Sequence, residues 1–301
     1  MQIFERTYDR LLTILLSISI ASSSGVLLGG CSSTGGVGTA APAASSVYDR
    51  VMKAGKIRCG YVVYSPGCLK DPNTAELSGI GIDVLKEAAK NLGLEVEFAE
   101  EVGWGTMIEG LETNRYDIIA TPIWTNSNRA RVVDFSKPMF YSPIFAYVKA
   151  GGKKINAQNF SSCNNPATTI ATVDGETAEI IAREDFPNAK KESLPQLSDV
   201  SQLMLTVSTG KADLTFAEPA IADAFLKTNP GSVERLSLVR PVRTFGNSWV
   251  FKRGQMEFKN MLDTALEQLM NSGVVDRIVA KYETSPGTLY RVARAYEVPS
   301  K

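Results

Sequence analysis

From residue 47 onward, strand-like runs alternate with stretches of helical periodicity, and that alternation restricts the chain to a layered α/β fold with a largely parallel sheet. "KIRCGYVV" (56–63), "EVEF" (95–98) and "DIIA" (117–120) read as strands. Between them, "IDVLKEAAKNLG" (82–93) sets Val84, Leu85, Ala88, Ala89 and Leu92 on one face, with Asp83 as the expected cap and Gly93 as the stop. "GTMIEGLETN" (105–114) reads as a second helix. A further set follows residue 144, with strands at "TTIATV" (168–173) and "DLTFA" (213–217) and helices at "ETAEIIARED" (176–185) and "VSQLMLTVSTG" (200–210). "IEGLETNRYDIIAT" (108–121) and "LMLTVSTGKADLTFAE" (203–218) share one order of helix, basic residue, Asp, apolar strand and polar end, a weak echo that suggests two similar lobes. The last helix, "FKNMLDTALEQLMNSG" (258–273), carries an apolar stripe suited to core packing.

Charge is balanced, with 32 Lys plus Arg against 32 Asp plus Glu, which argues against nucleic acid as the main partner. The chain has no histidine, so serine–histidine and cysteine–histidine catalysis are excluded and the commonest metal ligand is missing. A lone "GIG" at 79–81, with Val at 84, is not a dinucleotide fingerprint. No cofactor and no metal are expected.

The first 30 residues read as a signal peptide: Arg6 and Arg10 precede the apolar "LLTILLSISIA" (11–21). "LLGGC" (27–31) resembles a lipobox, which would make Cys31 a lipidation site; the other reading is an ordinary secretory signal cut elsewhere. Residues 31–46 are small and polar, a flexible tether. No later stretch reaches the ~20 apolar residues of a membrane span. The body is expected outside the cytoplasm, anchored at a membrane surface. Cys59 lies in a core strand and reads as a buried free thiol; nothing in the spacing of Cys68 and Cys163 supports or forbids a disulfide.

In open α/β sheets, ligands bind beyond the carboxyl ends of strands. "TPIWTNSNRARVVDFS" (121–136) follows such a strand. There Arg129 offers a planar fork for a carboxylate, Thr121 a hydroxyl, and Trp104 and Trp124 aromatic faces. From the second lobe, Thr177 is placed to cap a helix whose free N–H groups favour an anion, and Glu218 ends a strand and suits an ammonium. An anion site beside a cation site describes an α-amino acid. Plain structural readings stand beside these: Arg129 as a surface charge or partner of Asp134, Trp104 as core, Glu218 as partner of a lysine.

The quoted stretches resemble bacterial extracellular solute-binding proteins of family 3, the polar amino-acid receptors of ABC importers. "YDRVMKAGKIRCGYVVYSPG" (48–67) and "LSGIGIDVLKEAAKNLGLEVEF" (77–98) are similar to the family's opening segments. "WGTMIEGLETNRYDIIATPIWTNSNRARVVDFSKPMFYSP" (104–143) is the most specific, through Asp117, Thr125, Arg129, Asp134, Phe135, Ser136 and Pro138 in order. "VDGETAE" (173–179), "STGKADLTFAEPAIADAFL" (208–226) and "GQMEFKNMLDTALEQLMNSGVVDRIVAKY" (254–282) resemble the second lobe and the closing helices.

The resemblance implies a two-lobed, type II periplasmic-binding-protein-like fold. It also implies that Arg129 holds a ligand carboxylate with help from Thr121 and Thr177, that Tyr64 and Trp104 cover the ligand, and that Glu218 binds its α-amino group. Three departures reshape the pocket: Glu218 where aspartate is usual, Pro122 after Thr121, and Trp124 where a small hydroxylated residue is common. The first strand, "YVVYSPG", lacks the acid of basic-ligand members, which disfavours lysine or arginine. The expected organisation is lobe 1 at 47–142 plus 247–283, lobe 2 at 143–246, a tail at 284–301 without assigned function, and hinge strands near 140–146 and 243–250. The expected role is capture of an amino acid or similar amine-bearing carboxylate for an ABC permease, by a monomer. A cyclohexadienyl-dehydratase-like enzyme using Glu218, and a ligand sensor for a membrane receptor, are the competing readings.

Overall fold

The computed structural model describes residues 46–195 and 198–293. The expected signal peptide, Cys31, nearly all of the tether and the last residues of the tail lie outside the described residues. Ser46, expected at the tether's end, instead caps the first helix in a reciprocal box with Asp49.

In chain order the elements are α1 (Val47–Ala54), β1 (Lys56–Tyr61), β2 (Leu69–Lys70), β3 (Leu77–Ser78), α2 (Ile80–Asn91), β4 (Glu95–Glu101), α3 (Met107–Glu112), β5 (Ile118–Trp124), α4 (Ser127–Ala130), β6 (Val133–Phe135) and β7 (Phe140–Lys149). There follow β8 (Thr169–Val173), α5 (Thr177–Asp185), β9 (Lys190–Leu194), α6 (Ser201–Ser208), β10 (Leu214–Ala217), α7 (Pro219–Thr228), β11 (Val233–Arg235), β12 (Arg243–Lys252), α8 (Met256–Asn271) and α9 (Val274–Tyr282). The main sheet runs β4-β1-β5-β12-β7-β10-β8-β9, with β6 on β12 and β11 on β7. β4, β1 and β5 are parallel at one end, β10, β8 and β9 at the other. β12 and β7 join the ends and pair antiparallel with each other and with their outer neighbours.

These two ten-residue strands pass from one core to another. Phe140 packs with Ile57, Leu85, Phe258 and Leu266, whereas Ile144, four residues on, packs with Ile170, Leu203 and Phe216. On β12, Phe245 borders the second core and Trp249 is buried in the first. Alternation along β12 then sends Val250 to the opposite face of the sheet, with Met107, Leu111 and Tyr116. The first core therefore draws on chain before β7 and after β12.

A third connection comes from the chain end. Leu289 is buried in the first core, while Tyr290 packs on the second and exchanges two 2.8 Å backbone hydrogen bonds with Tyr141. Glu283 fixes this strap by accepting from the Gly287 and Leu289 N–H groups and pairing with Arg291.

Local chemistry explains where elements begin. α2 starts at Ile80, capped by Gly79 at φ +117°, not by Asp83. Gly81 lies so close to β5 that a Cβ would sit 2.2 Å from Pro122 Cδ and 2.5 Å from the Ala120 carbonyl oxygen, so "GIG" is a packing motif. Asp83, inside the helix, accepts from Lys281 at 2.9 Å and Tyr282 at 2.7 Å and holds α9 against α2. Asp117 is buried and takes both Arg50 of α1 and Arg58 of β1, pinning that helix to the sheet. Cys59, Cys68 and Cys163 are all buried free thiols; Cys68 is in the first core and Cys163 in the second, so no disulfide joins them. Among the described residues no helix is long and apolar enough to cross a membrane.

Candidate functional site

The polar stretch that seemed to follow a strand lies partly inside it. β5 runs on through Thr121, Pro122 and Ile123 to Trp124. Pro122 is tolerated because the β1 pairing stops at Ile119 and the β12 register shifts between Ser248 and Val250, so no ladder bond is lost there. Thr121 is wholly buried. Its hydroxyl donates to the Val62 carbonyl at 2.7 Å and accepts the Val62 N–H at 2.9 Å. A carboxylate needs a donor, and the single Thr121 proton is committed to Val62. The expectation that this hydroxyl meets a ligand is corrected: it extends the β1–β5 pairing where the backbone ladder ends.

Arg129 sits on α4, whose N-cap Asn126 accepts the Arg129 N–H at 2.8 Å. Its Nη1 donates to the Trp124 carbonyl at 3.2 Å. Among the described residues no carboxylate comes within ion-pair distance of it. Asp134 instead accepts from Gly254 N–H, so the Arg129–Asp134 pair does not form. Burial holds the Arg129 pKa below its ordinary value, and the Glu176 charge opposes that shift.

Glu218 is the N-cap of α7, directly after β10, with Pro219 opening the helix. No lysine pairs with it among the described residues. The Tyr64 hydroxyl donates to Glu218 Oε2 at 3.1 Å. Burial pushes the Glu218 carboxyl up, and the Ser142 and Tyr64 hydroxyls oppose that shift. Burial, then the Glu218 charge, also push the Tyr64 phenol up. Trp104 packs edge-on against Tyr64 at 5.5 Å and is 43% exposed, so it is no core residue.

Thr177 is the first residue of α5, one place inside the cap expected for it; Glu176 is the N-cap, and its side chain makes no capping bond. Trp124 lies flat on Phe245 of β12 at 4.6 Å, which covers one face of its ring. The structure thus joins Tyr64, Trp104 and Glu218 by contact, and the Glu176 charge acts on both Tyr64 and Arg129. Glu176, Ser142 and Asn247 were not foreseen. Glu176 was adjacent to a named residue, but a cap is not distinguished from its neighbour by sequence to one position. A separate groove of about 490 Å³, lined by residues including Lys153, Asn156, Glu234 and Arg235, contains none of the expected site residues. No cluster of three or more metal-ligating side chains occurs among the described residues.

The profile of the bacterial extracellular solute-binding proteins, family 3, matches residues 57–285. The chain belongs to this family. This solute-binding protein is 24% identical over 227 residues to the L-cystine-binding protein TcyA of Bacillus subtilis, covering 73% of this chain and 77% of that one. It is 24% identical to a probable amino-acid ABC transporter-binding protein of Haemophilus influenzae, over 78% and 87% of the two chains. Among solved structures it resembles the ancestral amino acid-binding protein AncCDT-1, described as a precursor of cyclohexadienyl dehydratase, with a TM-score of 0.61 and 27% identity over 79% of this chain and 99% of that one. A putative ABC-transporter binding component of Wolinella succinogenes, complexed with lysine, shares the fold at a TM-score of 0.61 and 24% identity, over 77% and 97% of the chains. The expected type II binding-protein fold is the one these structures have. A binding protein, not an enzyme, is what the family and these relatives are.

Proposed function

We propose that this solute-binding protein is the substrate-binding component of an amino-acid ABC importer, and that it captures a small carboxylate carrying an amine. The observation that carries the ligand reading is Arg129, a guanidinium desolvated by burial whose one hydrogen-bond partner among the described residues is a carbonyl. A bidentate carboxylate is the partner its fork matches. Glu218 lies with Tyr64 at the second pole and supplies the acceptor for an ammonium.

On this reading the residues before β7 and after β12 form one lobe, the residues between them the other, and β7 and β12 are the hinge. Thr177 and the free N–H groups of α5 engage the ligand from the second lobe, and Tyr64 and Trp104 cover it. The relatives' names support the amino-acid class and the ABC permease as partner. Extracellular placement follows the family. The lipobox-like "LLGGC" supports anchoring through Cys31, with a monomer acting at the membrane surface.

Calorimetry with the common amino acids, on wild type and Arg129→Ala, tests the reading. Binding of at least one amino acid, lost in the variant, is the expected result. Equal affinity in the two proteins would remove Arg129 from the site, and no binding of any amino acid would sink the ligand class.

A further inference from the structure

The strap after α9 has no slack where it passes between the cores. Leu289 and Tyr290 are consecutive, so their Cα atoms are about 3.8 Å apart. Yet Leu289 is buried in the first core and Tyr290 packs on the second. Every main-chain polar group of the two residues is occupied. The Leu289 N–H donates to Glu283 Oε1 at 2.9 Å, and its carbonyl accepts from Arg291 Nη1 at 3.1 Å. The Tyr290 N–H and carbonyl are both bonded to Tyr141, at 2.8 Å each. Glu283 is the C-cap of α9, whose Val275 and Val279 are buried in the first core, so the base of the strap belongs to that half.

Tyr141 lies on the stretch of β7 that passes from one core to the other. One flank of that stretch is covered by β12, from Phe140 to Ile144. The other flank is covered by β10 only from Phe145 onward. Pro143 has no N–H to offer a strand there. Tyr290 fills the flank at Tyr141 as an antiparallel bridge, so the strap is a short third strand beside the two that cross. Glu218 follows Ala217 on this same flank, which sets the strap roughly 10 Å along β7 from the acid end of the candidate site.

We propose that residues 283–291 are a brace between the two halves, a third connection that holds them in the joined arrangement and so slows the release of a captured ligand. This rests on the reading of β7 and β12 as the hinge. The Tyr64–Glu218 bond marks the present arrangement as the joined one. A change in the angle between the cores turns the crossing strands near Tyr141, and the strap cannot follow both sides. Leu289 and its bonds to Glu283 and Arg291 hold it to the first half, while the Tyr290 ring holds it to the second. Opening therefore breaks contacts that the joined arrangement keeps.

Tyr290→Pro deletes the N–H that meets the Tyr141 carbonyl and leaves Leu289 in place. Small-angle scattering without ligand is expected to show a larger radius of gyration than wild type. For whichever common amino acid binds wild type, stopped-flow dissociation is expected to be about fivefold faster, the shift that one lost hydrogen bond brings to the balance between joined and separated halves. An unchanged scattering profile or an unchanged release rate in folded Tyr290→Pro overturns the proposal. Tyr141→Cys with Tyr290→Cys makes the opposite change. A hydrogen-bonded antiparallel pair has Cα atoms about 5.5 Å apart, within disulfide range. Cys59, Cys68 and Cys163 are buried and stay out of the exchange. The oxidised form is expected to have a smaller radius of gyration than the same protein reduced, and to release ligand more slowly by about fivefold or more. Equal values in the two forms overturn the proposal. Failure of the two cysteines to cross-link overturns it too, since Tyr290 would then not be docked on Tyr141. This second variant decides the matter if Tyr290→Pro does not fold. If no amino acid binds wild type, the functional reading fails, while scattering without ligand still supports or overturns the brace.

Discussion

The Tyr64 hydroxyl donates a 3.1 Å hydrogen bond to Glu218 Oε2, joining residues 154 positions apart and tying the loop after β1 to the cap of α7. The bond crosses between the two halves of the sheet, on the side where Trp104 stands. Tyr64→Phe keeps the ring contact with Trp104 and deletes this link. With β7 and β12 as the proposed hinge, a net hydrogen bond of about 1 kcal/mol corresponds to a shift of about fivefold between joined and separated halves. Small-angle scattering of unliganded protein should show a larger radius of gyration in the variant. An unchanged profile would mean that the contact does not hold the halves together.

Thr121→Val replaces the side chain at nearly constant volume and strands the Val62 N–H and carbonyl. Two buried backbone groups left without partners should lower stability by about 1–3 kcal/mol in chemical denaturation. Ligand affinity measured alongside separates the two roles given to this residue. The bonds to Val62 predict a stability loss with affinity nearly intact; a large affinity loss at unchanged stability would return Thr121 to the ligand.

Glu218 is held above its ordinary value of 4.5 by burial. Between that value and its folded-state value, the folded chain keeps a proton the unfolded chain has released. Stability from this group therefore falls as pH rises through the interval, and the loss persists at neutral pH. Glu218→Gln removes the charge and should make the unliganded protein more stable than wild type near neutrality, with the gain fading as pH drops below 4.5. Thermal melts of both proteins across the acid-to-neutral range follow this difference. A variant less stable than wild type at neutral pH would show that the Tyr64 bond and the other polar contacts of the carboxylate outweigh desolvation.

Leu289→Ala should cost about 2–3 kcal/mol, because its side chain is 7% exposed and fills the first core from the chain end. Denaturant titration measures this directly. A loss below about 0.5 kcal/mol, the range of ordinary surface changes, would mean the strap is not docked in solution.

Most helices were legible because their apolar stripes are local. The stripe of α8, from Phe258 to Leu269, places the helix within two residues of the observed ends. The ends of β5 and the start of α2 were not, because tertiary contacts set them. β5 continues through a proline only because neither neighbouring strand offers a bond there, and α2 begins at Ile80 because Gly79 and Gly81 let it approach Gly67 and Pro122. In the candidate site, Arg129 and Glu218 stood out in the sequence as charges near strand ends and Trp104 as an aromatic face, while Tyr64 was named through the family resemblance alone. What each touches was not readable, since Tyr64 meets Glu218 and Asn247 meets Ser142 across more than a hundred residues. Thr121 shows the limit most clearly: its hydroxyl suits a ligand or a strand, and only the position of Val62 decides.

The first core draws on α1, β1, α2, β5 and the start of β7 from one stretch of chain and on β12, α8, α9 and Leu289 from another, whereas the buried residues of the second core all lie between Ile144 and Leu236. A chain delivered N-terminus first therefore has all the parts of its second core while the first still waits for its central strand and closing helices. Trp249 and Phe251, then Phe258 to Leu289, complete the packing around Ile57 and Leu85. Until β12 emerges, β5 has an open edge on the side that β12 later fills.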